Sequence, residues 1–351
     1  SGKFFDHLAH YYIQAISEDF GMNYSRGYSA EMMELLKKEH RKRFQQFIKQ
    51  FLVQCENKSK TARYNSPLTF NYPTYNPSNI VIQKKKTNFK VTILTDALES
   101  DISLNNMIST FVKLMPCEVS VVNINNADIR GGCLGCLNCV SDNVCFYQDD
   151  HMKIFKQQII TPDALIYAFK TKDRYFTARM KSFLDRAFFN GHRPVFKGQQ
   201  QAFFVSGPLR QLPVLREAIE AMSEVGRANF VGIVTDEYDD SEIVTTLIQN
   251  LVDRILWGLK NEKYVGTKTF LGVGGHKIFR DLIHTYQLIF PQDYSYYKKE
   301  KLFDWPKIFF GRFSFILKPL MRIPAFRKRF YAESDRYQTQ MFSKVIKKED
   351  L

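Results

Sequence analysis

The chain has 351 residues, 44% of them hydrophobic and 15% aromatic, which is ample for a packed core. No apolar run reaches the roughly 18 residues that a membrane-crossing helix needs, and the start Ser1-Gly-Lys-Phe-Phe-Asp lacks the continuous apolar stretch of a secretion signal. The expectation is a cytoplasmic protein with no transmembrane segment, whose net charge of +14 suits anionic partners such as phosphorylated cofactors, nucleic acid, acidic lipids or acidic proteins.

Residues 1–60 read as helical. From Ser29, placed as an N-cap, apolar residues recur at Met32, Leu35, Leu36, Phe44, Phe47, Ile48, Phe51 and Leu52, the pattern of an amphipathic helix docked on a larger body. Residues 57–78 are rich in Asn, Tyr and Pro and read as an irregular linker. From Phe89 the pattern alternates. Strands are predicted at 89–95, 118–124, 163–169, 201–206 and 230–235, with helices at 104–114, 150–159, 175–189, 212–224 and 241–260 between and after them. Strands separated by helices imply an α/β, doubly wound, five-stranded parallel sheet with right-handed crossovers, whose ligands sit beyond the carboxyl ends of the strands. Gly272-Val-Gly-Gly reads as a turn feeding a helix, without the spacing of a dinucleotide fingerprint. Residues 291–351 read as basic, aromatic and helical, with seven Lys or Arg and no acid between Lys307 and Arg329. The implied organisation is a helical extension and linker over 1–86, the α/β domain over 87–265 and a helical extension over 266–351.

Four of the six cysteines, Cys133, Cys136, Cys139 and Cys145, fall within thirteen residues at the spacing C-x2-C-x2-C-x5-C. Cytosolic thiols stay reduced, so clustered ones bind metal or do redox work more often than they form disulfides. A [4Fe-4S] cluster, empty thiols, zinc and disulfides all remain open for this stretch. Close C-x2-C pairs usually need a second, distant pair for zinc, and four cysteines would close a site in a way that suits electron transfer. Cys55 and Cys117 are expected to be buried thiols. His192, a lone histidine after the third helix, could approach the carboxyl edge of the sheet but reads better as structural.

Taken together, the cysteine stretch, Asp149-Asp150, the strand Asp163-Ala-Leu-Ile-Tyr and Lys181-Ser-Phe-Leu-Asp185-Arg186 resemble the flavodoxin-like NAD(P)H-dependent FMN reductases, above all the iron–sulfur flavoproteins, over about residues 88–236. The resemblance implies a flavodoxin-like sheet that binds FMN and a [4Fe-4S] cluster on Cys133, Cys136, Cys139 and Cys145, with NAD(P)H as electron donor. It implies a phosphate loop after the first strand, with Thr95, Ser103 and Asn105 as contacts; this loop has no glycine and carries Asp96, Glu99 and Asp101. The flavin-facing loop would supply Phe169, Lys170, Arg174 and Tyr175, and Ser206 and Gly207 a third contact. Asp185 and Arg186 would form an ion pair on the helix surface. Family likeness also implies a small-molecule or protein redox partner and a homo-oligomer, a dimer or tetramer. Two alternatives stand beside it: an FMN-only reductase of quinones, nitro compounds or flavin, and a zinc-stabilised binding protein whose basic tail meets nucleic acid or acidic membrane. Nucleic acid is not favoured, because the tail's aromatics look like a docked helix face.

Overall fold

A computed structural model describes residues 6–30, 32–78, 80–82, 87–261, 266, 269–305, 319–330 and 332–333. The chain forms two compact units, Ser1–Glu300 and Lys301–Leu351. The first begins with helices α1 (Asp6–Asp19) and α2 (Lys38–Glu56). It continues as β1 (Val91–Thr95), α3 (Ile102–Leu114), β2 (Val119–Asn123), the short α4 (His151–Ile154) running into a π turn, and β3 (Ala164–Lys170). Then follow α5 (Ala178–Arg186), β4 (Gln200–Ser206), α6 (Pro213–Val225), β5 (Asn229–Thr235), α7 (Ser241–Asn261), α8 (Phe270–Thr285) and α9 (Pro291–Lys299).

The five strands pair in parallel in the order β2-β1-β3-β4-β5, the flavodoxin-type doubly wound arrangement that the sequence predicts. The sheet exists because its central strands are short apolar runs, buried on both faces. Alternation along each strand splits the core into two halves. Ile93, Ile166 and Phe204 face α3 and α7 through Met107, Phe111, Ile248 and Leu251. Leu94, Tyr167 and Phe203 face the other way, toward the π turn after α4 and toward α5 and α6, through Phe155, Phe183 and Ile219. The strand order reverses between β1 and β3, so the crevice for a ligand lies beyond Thr95 and Lys170.

Several expectations need correcting. The amphipathic helix starts at Lys38 rather than Ser29, whose hydroxyl instead meets His10 Nε2 at 2.6 Å. The linker is irregular, yet it inserts Tyr75 into the core, where the phenol hydrogen-bonds Thr110 at 3.0 Å and Thr245 at 2.9 Å. Gly272 and Gly275 belong to no turn: both are buried inside α8, which Thr269 caps. Cys117 is buried as expected, whereas Cys55 is exposed on α2. His192 has a partner that no sequence spacing shows: its Nδ1 lies 3.0 Å from the buried Asp293 of α9. Residues 307–318 of the basic stretch lie outside the described residues. Among the described residues no helix is long and apolar enough to cross a membrane.

Candidate functional site

Three loops meet at the carboxyl edge of the sheet. In the loop after β1, Thr95 Oγ1 accepts the Ala97 N–H at 3.0 Å, and Asn105 Nδ2 donates to the Leu98 carbonyl at 2.8 Å. Ser103 Oγ accepts the Tyr75 N–H at 3.0 Å and also hydrogen-bonds the Asp236 carboxyl. All three residues thus hold the loop in shape. Helix α3 starts at Asp101 without a side-chain cap, so its first-turn N–H groups face outward as donors. The Asp101 carboxylate is occupied on both sides, by the Leu98 N–H at 2.9 Å and Lys170 Nζ at 3.1 Å.

After β3 the chain makes a tight hairpin in which Lys172 and Tyr175 exchange both backbone hydrogen bonds at 2.9 Å. Asp173 (φ 46°) and Arg174 (φ 67°) are both left-handed, as a two-residue turn of this hand requires. Phe169 is fully buried against Phe176, with ring centres 4.6 Å apart. Arg174 is only 5% exposed, and its guanidinium grips Asp19 of α1 at 2.6 and 2.7 Å and the Ser66 carbonyl at 2.5 Å. Tyr175 lies against Tyr12 of α1 at 5.4 Å, and burial pushes its phenol up to about 12. The amino-terminal helix therefore covers part of the hairpin, and Arg174 is committed to holding it. Lys170 keeps its ammonium exposed.

The loop after β4 is drawn onto the end of β5. Ser206 Oγ donates to Asp236 at 2.7 Å and the Gly207 N–H does so at 3.0 Å. Gly207 has φ 122°, and a side chain there would strike Thr171 Oγ1. Asp96, Asp236 and Glu237 are buried acids at this edge, and burial raises the pKa of each. Asp96 Oδ2 accepts from Thr177 Oγ1, while its Oδ1 is buried without a partner. Sequence reading places Asp96 in the phosphate loop but misses Asp236 and Glu237, although Asp236 directly follows β5, where a side chain is delivered to the edge.

The cysteine stretch leaves this edge. Arg179 of α5 holds its start through the carbonyls of Ile124, Ala127 and Ile129 at 2.6–2.9 Å. The chain then runs along α5, with Gly132 beside Ser182, and reaches the far end of that helix at Arg186 and Phe188. Cys133, Cys136, Cys139 and Cys145 all line one narrow recess there. Because α5 runs antiparallel to the strands, the recess lies about 12 Å along the helix from the hairpin, not on the sheet's carboxyl edge. Cys133 and Cys136 are exposed, and Cys139 and Cys145 half-buried. Burial, and then the neighbouring thiols of Cys133, Cys145 and Cys136, raise the Cys139 pKa, so the four lie within electrostatic reach of one another. Leu137 (φ 60°) and Asn143 (φ 58°) are left-handed non-glycine residues in this loop, a local strain that packing must offset.

Arg186 overturns the expected surface pair with Asp185. Asp185 is exposed and meets Lys181, whereas the side chains of Arg186 and Asp149 are both 0% exposed and joined at 2.5 and 2.9 Å. Arg186 Nη2 also reaches Cys145 Sγ at 3.5 Å, and its guanidinium lies 4.3 Å from the Tyr147 ring centre. Burial alone would raise the Asp149 pKa, but Arg186 and the N–H groups of Arg130 and His151 bring it down to about 2.

The chain resembles an iron–sulfur flavoprotein. That protein, from Archaeoglobus fulgidus, is 30% identical over 133 residues, which cover 36% of this chain and 60% of the relative. The chain thus spans about 60% of the length of the curated relative it matches. No family model matches. Solved structures with a similar trace include an NAD(P)H:quinone oxidoreductase from Methanothermobacter marburgensis (12% identity, TM-score 0.39, 47% of this chain and 98% of that one). Another is an oxidoreductase from Corynebacterium diphtheriae (12% identity, TM-score 0.38, 50% and 98%).

The two implied groups can be tried against these residues. For a phosphate, the uncapped first turn of α3 offers N–H donors, Asp101 is neutralised by Lys170, and burial holds Asp96 toward its uncharged form, so the loop is less hostile to an anion than its composition suggests. For a metal centre, four soft donors share one recess, and the buried Arg186 Nε–H beside it has no partner. The thiols are gathered without being closed: among the described residues no three or more His, Cys, Asp or Glu are placed to hold a metal ion.

Proposed function

We propose that the chain is a flavin-dependent oxidoreductase that passes electrons between NAD(P)H or a low-potential donor and an acceptor, with FMN at the carboxyl edge and a [4Fe-4S] cluster on Cys133, Cys136, Cys139 and Cys145. The observation that carries this reading is the recess itself, which four thiols line and which has a buried cation at its wall. Likeness to an iron–sulfur flavoprotein supports it. Bound, FMN supplies two-electron exchange with hydride donors and one-electron exchange with metal centres. The chain's own part is to hold the phosphate at the first turn of α3 with Lys170 nearby, and to present Tyr175 and Phe176 from the hairpin. Ser206 and Gly207 shape the neighbouring loop through Asp236. Arg174 is left out of this set, since Asp19 and Ser66 engage it. Reduced thiols fit a cytoplasmic setting, and a redox partner and a homo-oligomer belong to the same reading.

Anaerobically purified protein titrated with NADH or NADPH tests this. Flavin bands that bleach with either nucleotide, over a broad absorbance at roughly 400 nm that bleaches with dithionite, are the expected result. A second reading, an FMN-only reductase of quinones, nitro compounds or flavin, is favoured by the exposure of Cys133 and Cys136. Flavin bands without iron would select it.

A further inference from the structure

We propose that Arg186 is a positioning residue for the cysteine site: anchored by Asp149, it holds the Cys145 sulfur at the inner wall of the recess and sets a positive charge beside the thiolates that close around a metal centre. This rests on the reading of the four cysteines as ligands. Buried ion pairs contribute little to stability on balance, because two charges lose their water, so a fully buried pair calls for another reason. The recess supplies one. Arg186 is the single charged side chain that lines it, among cysteines and apolar or aromatic neighbours. Its fork is shared between the Asp149 carboxylate at 2.5 and 2.9 Å and the Cys145 sulfur at 3.5 Å. Asp149 in turn accepts the N–H groups of Arg130 at 3.1 Å and His151 at 3.2 Å, which flank the cysteine loop on its two sides. The Cys145 N–H is fixed as well, 3.1 Å from Met152 Sδ. Cys145 is thus the anchored member of the four, while Cys133 and Cys136 lie on the exposed part of the loop. A four-thiolate centre is anionic, and a hydrogen bond or positive charge at one ligand sulfur stabilises it and raises its reduction potential.

The test uses Co2+ as the probe, titrated anaerobically into the reduced 351-residue protein and followed by thiolate–cobalt charge-transfer absorption. The main variant is R186Q/D149N, which removes both charges together and so leaves no lone buried ion; R186K keeps the charge and loses the fork. Outer-shell partners of metal ligands are worth about 10–100-fold in affinity, so R186Q/D149N is expected to bind Co2+ about 10–100-fold more weakly, with R186K between it and the parent. In a C145S background the same double change is expected to cost less than about threefold, because Arg186 acts through that sulfur. After reconstitution with iron and sulfide, the midpoint potential of R186Q/D149N is expected below that of the parent. Co2+ binding through the thiols with no iron–sulfur cluster on reconstitution would remove the cluster reading and leave the role of Arg186 standing. Unchanged Co2+ affinity in R186Q/D149N, an equal loss in both backgrounds, or no thiolate–cobalt absorption in the parent would overturn it.

Discussion

Replacing Asp19 with alanine should release the amino-terminal helix from the hairpin after β3. The guanidinium of Arg174 is 5% exposed and makes its hydrogen bonds at 2.6 and 2.7 Å to Asp19, whose side chain is 34% exposed. Breaking a fully buried ion pair costs about 3–5 kcal/mol, and an exposed one about 0–1 kcal/mol. This pair lies between, and Arg174 would keep the Ser66 carbonyl, so about 2 kcal/mol is expected for D19A. Because the contact is local, the loss should appear as opening of α1. Amide exchange over residues 6–19 should rise about 30-fold. Urea unfolding of D19A, R174A and the double variant gives the coupling between the two side chains, expected at about 1–2 kcal/mol. A coupling near zero, or α1 amides that exchange as in the parent, would refute the clamp.

Three other expectations can be checked separately. His151 is fully buried against Phe183, with ring centres 4.5 Å apart, and burial lowers its pKa from 6.5 to about 4. The unfolded chain therefore binds the extra proton first, and stability should fall by about 3 kcal/mol as pH drops from 6.5 to 4; H151F should remove that part of the slope in urea midpoints. K170E should weaken FMN about tenfold and riboflavin much less, since Lys170 offsets Asp101 where the phosphate would lie and pairs this exposed count for little in stability. Equal loss for both flavins would move the phosphate elsewhere. G207A should lower stability by about 1–3 kcal/mol in thermal melts, because φ 122° is costly for alanine and the new methyl meets Thr171; an unchanged melt would show that the loop relaxes freely.

The sheet was legible because its strands are brief apolar runs such as Val91–Thr95 and Gln200–Ser206, separated by helix-length segments, and a buried parallel strand needs little else. The cysteine recess was legible because its ligand candidates are neighbours in sequence. What escaped depends on contacts between distant residues. Arg186 follows Asp185 directly, but neighbours on a helix do not face each other; Asp185 pairs with Lys181 and Arg186 with the buried Asp149, 37 residues away. Arg174 looked like a free cation at a cofactor loop until α1, 155 residues away, placed Asp19 against it. The position of the cysteines along α5 was equally hidden: a loop that leaves a strand at the carboxyl edge need not stay there, and Arg179 sets its course.

The central claim is that a flavin edge and a metal-binding cysteine recess coexist in one chain. A cofactor census on a single anaerobic preparation, counting flavin, iron, sulfide and zinc per chain, tests it most directly. The expected result is about one FMN with about four irons and four sulfides, with iron falling sharply in C145S while flavin is retained. Protein that carries zinc and no flavin would contradict it.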